Sequence, residues 1–491
     1  MATKTVNGSA ELEGFLSHEK PSKNGAIIKY KFTKELERGN LELDPLKSRK
    51  LEHPVSDSET LTHLLKASFG TGILSMPAAF YAAGLSLGIF LTILISIICT
   101  HCAYILVVCA HELCRKSQKS QMSFADVAEE ACLRGPKWGK KISGCARKMV
   151  LIGTFVTYFM SCSCYAVIVA KNFNQVANHY LGYEVEIRIT IALLMIPLIL
   201  LACVPNLKYL APVSMVANVA MAFGLGITMY YLVADIPAIS ERRQVAELAT
   251  LPIFLSITIF AIEAIGVVMP LENNMENPHH FIGLCGVLNQ GMSGVTLVYI
   301  LVGFFGYLKY GDDIKGCITL NLPIEDYAAQ AVNIFIGGAV FCSFGLTFYV
   351  CIDIVGTAIR KRCVENRITS EYIRRILMVI ICVSIAIAMP TIIPFVSFIG
   401  AFCFSFLGLL VPVGIETLTF WDKGFGRCHW KIFKNIIITL MAILALIFGS
   451  KTAVEEIIVM YTTNMADLNS NSTVPSGTVF NSTIMSIFHS F

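Results

Sequence analysis

The chain has 491 residues, of which 55% are hydrophobic and only 15% charged, and its mean hydropathy is +0.66. A water-soluble protein of this length carries roughly a quarter of its residues as charged side chains, so the shortfall points to lipid as the outer solvent. A net charge of +4 and the lack of an RNA- or DNA-binding motif set nucleic-acid partners aside. The seventeen cysteines follow no metal-ligand or paired CxxC spacing. Most, such as Cys99, Cys102, Cys109, Cys162, Cys164, Cys342, Cys351, Cys382 and Cys403, fall in apolar runs, where a thiol is a small hydrophobe.

Residues 1–58 are polar, contain ten Lys/Arg and lack the apolar core of a signal peptide. They read as a retained, disordered cytosolic tail. A spanning helix needs roughly 20 predominantly apolar residues, and eleven segments qualify between 59 and 460: 61–83, 85–110, 149–171, 189–205, 209–234, 251–271, 281–308, 328–352, 375–391, 394–417 and 435–458. Alternating barrel strands are absent and open sheet edges cannot face lipid, so the fold class is an all-α integral membrane protein. With the N-terminus cytosolic, the loops carry 30 Lys/Arg inside against 5 outside, the sense of the positive-inside rule. An odd number of spans places the tail 461–491 outside or in a lumen, where Asn471 and Asn481 each open an N-x-S/T glycosylation sequon.

Two spans carry marks of interruption. The first reads Ser68-Phe-Gly70-Thr71-Gly72-Ile-Leu-Ser-Met-Pro77, and each glycine weakens a continuous helix by about 1 kcal/mol against alanine. The sixth has Glu263 in mid-span, within Phe260-Ala261-Ile-Glu263-Ala-Ile-Gly266. Spans one and six stand five apart, the offset of a 5+5 inverted repeat with the eleventh helix added outside it. Backbone groups freed at a break persist in a membrane only where they line a cavity or meet a ligand. A zwitterionic amino acid matches such a site. Its carboxylate takes N–H donors beside Gly70–Gly72, and its ammonium takes carbonyl oxygens and the face of Phe260. The alternative is that Gly70, Gly72 and Pro77 are only a packing notch and a kink.

Ionisable residues within a membrane are costly and usually functional. His63 and Lys66 lie one turn apart, with Gly70 one turn further along the same face. An imidazole titrates near pH 6.5, which makes His63 the first candidate proton carrier; the alternative is a histidine wetted by the interface. His101, in mid-span two, is a second candidate or else a residue bonded to a neighbouring helix. Glu263 is a further proton acceptor or a charge compensating one in the site. Lys66 snorkels to the inner face, while Asp353 and Glu416 are expected at solvent-accessible helix ends.

The run His63-Leu-Leu-Lys-Ala-Ser-Phe-Gly-Thr-Gly-Ile-Leu-Ser-Met-Pro77 resembles the first helix of the proton-coupled amino acid transporters, solute carrier family 36 of the amino acid/auxin permease group. Matching runs follow in the family's order at His101–Leu106, Cys109–Cys114, Phe260–Gly266, Pro270–Asn273 and Gly316–Pro323, and the resemblance covers about residues 58–460. It implies eleven helices, a fold like the bacterial leucine transporter, and symport of one proton with glycine, alanine or proline, with no cofactor. It places the family's essential helix-one histidine on His63 and its helix-two histidine on His101, and the mid-span carboxylate adds Glu263 as a candidate in the relay. It also places the family's substrate backbone sites on the Gly70–Gly72 break and the Phe260–Gly266 segment, so the expected substrate contacts are Ser68, Gly70, Thr71, Gly72, Phe260, Ala261, Glu263 and Gly266. Vertebrate members bridge two outer loops by a disulfide. Here Cys317 is the only cysteine in an expected outer loop, so no such bridge is expected and the pattern is closer to the insect branch.

Three other classes stand beside this reading. A sodium-coupled carrier on the same scaffold would use hydroxyls such as Ser343 and Thr347. An amino-acid receptor would signal through the tail and the loop 112–147. An intramembrane enzyme would need a nucleophile–base pair, HExxH or paired catalytic aspartates, none of which is visible.

Overall fold

The computed structural model of the chain describes residues 45, 46, 49, 54–204, 207–359, 367–422, 424 and 430–470. Nearly all of the tail 1–58 and both sequons, Asn471 and Asn481, lie outside the described residues. The elements are α1 (Asp57–Ser68), α2 (Gly72–Ala83), α3 (Leu85–Ser117), α4 (Phe124–Arg134), α5 (Gly139–Leu181), α6 (Ile187–Ala202), α7 (Leu207–Val233), α8 (Leu251–Ile262), α9 (Ile265–Asn274), α10 (Val287–Tyr310), α11 (Tyr327–Ile359) and α12 (Arg367–Ala388). Then α13 (Ile392–Phe398) runs through a π-helical segment, Ile399–Leu410, into α14 (Val411–Thr419). Last, α15 (Trp430–Leu444) passes through a π-helical turn, Ala445–Gly449, into α16 (Ser450–Ser470). Among the described residues the only β-type pairing is one bridge, Val55 with Met275.

Among the described residues, eight helical stretches are long and apolar enough to cross a membrane, one of them, Leu248–Asn274, including the break between α8 and α9. The other three expected segments are also helical, but the first is split into α1 and α2, α6 has 16 residues, and α12 opens on a charged turn with Arg367, Glu371, Arg374 and Arg375. The expected break in the sixth span is present between α8 and α9.

The region 112–147, read from sequence as a loop, is instead largely helical. The end of α3 reaches Ser117, and α4 follows because Ser123 and Asp126 form a capping box while Phe124, Val127, Ala128 and Ala131 turn one apolar face inward. A second capping box, Ser56 with Glu59, starts α1. The Ser56 N–H, and then its hydroxyl, hold the Glu59 carboxyl below the usual carboxylate range.

Helices approach closely where side chains are absent. A methyl group on Gly306 of α10 would lie 2.5 Å from Pro77 Cγ, and one on Gly291 would lie 2.6 Å from Leu64 Cδ2. The small residues thus let α10 seat both halves of the first span, as is usual for helix contacts in lipid.

At the end of the bundle bearing the basic loops, Arg49 crosses back over α9. It donates from Nη2 to Glu272 Oε1 at 2.9 Å, from Nη1 to the Glu272 carbonyl at 3.0 Å, and from Nε to the Ser120 carbonyl at 2.6 Å. His111 Nε2 lies 2.8 Å from the same Oε1. The Glu272 side chain is 0% and that of Arg49 4% exposed. Val55 adds two backbone hydrogen bonds, to Asn274 and from Glu276. A buried pair contributes little net stability as a pair, but removing one partner leaves an uncompensated charge at about 3–5 kcal/mol. Glu272→Ala is therefore expected to lower the thermal midpoint of the detergent-solubilised protein sharply, whereas Arg49→Met combined with Glu272→Leu recovers most of it. An unchanged midpoint in the single variant would mean that the pair carries no such burden.

Candidate functional site

The first break is a tight backbone turn. Phe69 sits at φ −73°, ψ 59°, and the Gly70 N–H donates to the Ser68 carbonyl at 2.7 Å, the geometry of an inverse γ-turn. The chain re-enters a helix at Gly72, so the first turn of α2 presents N–H groups that have no intrahelical acceptor. The second break uses a side chain. Glu263 leaves α8 in extended geometry (φ −69°, ψ 121°), and its Oε1 accepts from the Ile265 N–H at 2.8 Å, capping α9 from two residues upstream.

The two breaks lie side by side. A methyl group on Gly72 would stand 2.5 Å from Ala261 Cα and 2.9 Å from its Cβ, so the contact requires glycine. The Tyr299 hydroxyl of α10 is within reach of the Ser68 carbonyl and, at 3.0 Å, of the Ala261 carbonyl. One fully buried phenol thus holds the carboxyl ends of both interrupted segments.

Between the breaks is a cavity of about 100 Å³. All eight residues expected at the substrate, Ser68, Gly70, Thr71, Gly72, Phe260, Ala261, Glu263 and Gly266, line it. Glu263 is the one formally charged side chain among the lining residues. Its Oε2 is buried without a hydrogen-bond partner, as is Ser68 Oγ. The wall opposite the breaks was missed from sequence. It consists of Tyr158, Ser161 and Tyr165 of α5 and Phe404 of the π-helical segment, with Phe404 set edge-to-face against Phe260 at 6.1 Å between ring centres. The signal was present: three hydroxyl-bearing residues at i, i+3 and i+7 of an apolar helix share one face.

A family model of transmembrane amino acid transporter proteins matches residues 53–454. The chain belongs to the transmembrane amino acid transporter family. It is 53% identical over 432 residues, 88% of this chain and 91% of the relative, to the Drosophila melanogaster proton-coupled amino acid transporter-like protein pathetic. It is 23% identical over 417 residues, 82% of this chain and 90% of the relative, to the probable amino acid transporter skat-1 of Caenorhabditis elegans. Among solved structures, a transporter of the nucleobase-cation-symport-1 family is similar at 12% identity and a TM-score of 0.47, over 84% of this chain and 96% of that one. The resemblance on His63–Pro77 and the later runs therefore named the right family, one of transporters and not of enzymes.

Within this transporter the three proton candidates occupy different places. Glu263 is in the cavity wall. His63 is outside it, on the open face of α1 that it shares with Ala67 one turn on, and Ala67 does line the cavity. Gly70 does not continue that face, because α1 has already ended at Ser68. His101 is half-buried away from the cavity, stacked on Tyr104 with its Nε2 unpartnered. The charges acting on it are Lys434 and Glu416. Glu416 itself corrects the sequence reading: it is 7% exposed and accepts from Lys434 at 2.8 Å, because α15 packs across the end of α14. Asp353 is exposed as expected.

Since Gly72 has no room for a side chain, Gly72→Val is expected to push the two breaks apart and cut amino acid uptake by about a hundredfold, the scale of a 1 Å misplacement. Uptake by Gly72→Val cells, normalised to surface protein, checks this; wild-type uptake would remove the Gly72–Ala261 contact from the site.

Proposed function

We propose that the transporter couples the entry of one proton to that of one small neutral amino acid, of the alanine, glycine and proline class, by alternating access. The scaffold in this reading has eleven spanning helices, a 5+5 inverted repeat plus one, with a cytosolic N-terminus. The outer or lumenal tail carries glycans at Asn471 and Asn481, and the protein resides in the plasma membrane, the lysosomal or endosomal membrane, or both. The observation that carries the reading is the juxtaposition of two helix interruptions around a small cavity with a single carboxylate in its wall. The Drosophila relative, itself named as proton-coupled, supports the choice of ion.

In this reading each part of the cavity has a role. The substrate carboxylate meets the first turn of α2, and the ammonium meets the carbonyl ends of α1 and α8 beside the Phe260 ring. Tyr158, Tyr165, Phe260 and Phe404 limit the side chain to a few atoms. Glu263 takes the coupling proton on its free oxygen, and His63 delivers it along the open face of α1. A gradient of about two pH units is worth about 2.7 kcal/mol, enough for roughly hundredfold accumulation of the cargo. Ser343, a hydroxyl suited to a sodium site, donates instead to the Ala339 carbonyl at 3.0 Å. Thr347 lies against Tyr165.

The test is radiolabelled alanine and proline uptake at outside values of about pH 5.5 and about pH 7.5, on either side of an ordinary imidazole pKa near 6.5, with and without sodium. Uptake is expected to be sodium-independent, to rise in acid, and to lose that rise in His63→Ala at unchanged surface level. A sodium requirement would replace the coupling ion. Binding without flux would turn the protein into a receptor.

A further inference from the structure

Glu263 is held on four sides. Its Oε1 is taken by the Ile265 N–H. The Cys99 thiol of α3 lies against the carboxyl, with Cys102 beyond it, and Tyr158 of α5 faces it from the cavity. The fourth side is Gly408, in the π-helical segment. A methyl group built there would lie 2.5 Å from Glu263 Cδ and 3.0 Å from Cγ, and would overlap Oε2 outright. A clash with the tip of a free side chain is resolved by rotation. Here rotation is costly, because turning the carboxyl breaks its bond to Ile265 and uncaps the start of α9.

The same segment leans on α8 one further time. A methyl group on Gly400 would meet the Ser256 carbonyl and stand 3.1 Å from Phe260 Cβ. Two glycines eight positions apart thus let an irregular helix lie directly against the interrupted one, and π-helical insertions concentrate at functional sites. Gly400 packs against α8 backbone. Gly408 packs against the only formally charged group of the cavity wall.

We propose that Gly408 is a positioning residue for transport: the side chain it lacks is the slot that seats the Glu263 carboxyl between the cavity and the π-helical segment, with Cys99 closing the slot from α3. A side chain at 408 displaces the carboxyl toward the cavity, where it occupies substrate space and loses its hold on α9. The slot thereby ties the state of Glu263 to the position of the segment Ile399–Leu410 against α8. This rests on the reading that Glu263 takes the coupling proton, and the two are tested separately.

Four proteins are compared as purified monodisperse transporter in liposomes with an imposed pH gradient, using alanine as the probe: Gly408→Ala, Glu263→Asp, the double variant, and Glu263→Gln. Aspartate also bonds the backbone N–H two residues on, so the shorter acid keeps the cap on α9 and withdraws one methylene from the slot. Gly408→Ala is expected to lower Vmax by about tenfold or more and to flatten the pH profile, a misplacement effect. The double variant is expected to return to within about threefold of Glu263→Asp alone, since residues in contact do not add. A double variant no better than Gly408→Ala, or a Gly408→Ala protein with wild-type Vmax and pH profile, overturns the slot. Glu263→Gln addresses the underlying reading: full acid stimulation there removes Glu263 as the proton site, while the rescue by aspartate still reports on the slot.

Discussion

A peptide N–H or C=O left without a partner in hydrocarbon costs several kcal/mol, and the two interrupted spans of this transporter must answer for that at the same depth. They do so by different means. At the first break the backbone folds on itself through Phe69, which uses the Gly70 N–H locally, and α2 begins at Gly72 in the cavity lining. At the second break the Glu263 side chain supplies the missing acceptor. The exposed carbonyls of both breaks are then gathered by the single hydroxyl of Tyr299. The Ser68 carbonyl, which also accepts the Gly70 N–H, has both lone pairs engaged, whereas the Ala261 carbonyl keeps one that a ligand ammonium can use.

This arrangement explains how much was readable in the chain itself. Gly70, Gly72 and Pro77 marked the first break by residue type, and Glu263 marked the second by charge, since both kinds of residue violate the apolar rule of a spanning helix. The local rule was broken at the two interruptions, and so the cavity's inner lining followed from sequence. Its outer wall did not, because Tyr158, Ser161, Tyr165 and Phe404 break no rule: aromatic and hydroxyl residues are ordinary on a buried helix face. Tyr299 was invisible for the same reason. The helix α4 was hidden inside a stretch whose charges suggested a loop, although the Ser123–Asp126 box preceded an apolar face.

Long-range polar contacts were the least legible. Arg49 and Glu272 are 223 positions apart, and nothing local links a basic residue in a polar tail to an acid at the end of α9. Glu416 misled in the opposite direction. Its place near a helix end suggested solvent, but α15 returns over it and Lys434 neutralises it. Both pairs lie where helices carrying the breaks or packing on them reach the basic end. Arg49–Glu272 grips the far end of α9, whose near end is capped by Glu263. One short helix of 10 residues is thus fixed by a carboxylate at each end, and any displacement of α9 must disturb both.

Glu263 therefore has two duties in the proposed reading, and a carboxyl group is suited to hold both at once. In its ionised form both oxygens accept. In its protonated form one oxygen becomes a donor while the other still accepts. The bond from Ile265 to Oε1 can therefore survive a change of charge, provided the proton resides on Oε2, the oxygen that has no other partner. An amide would preserve the shape and the cap but not the change in charge, and a shorter acid would preserve the chemistry while releasing the slot. The helix that forms the cavity can stay capped through the whole cycle while the charge beside the substrate comes and goes.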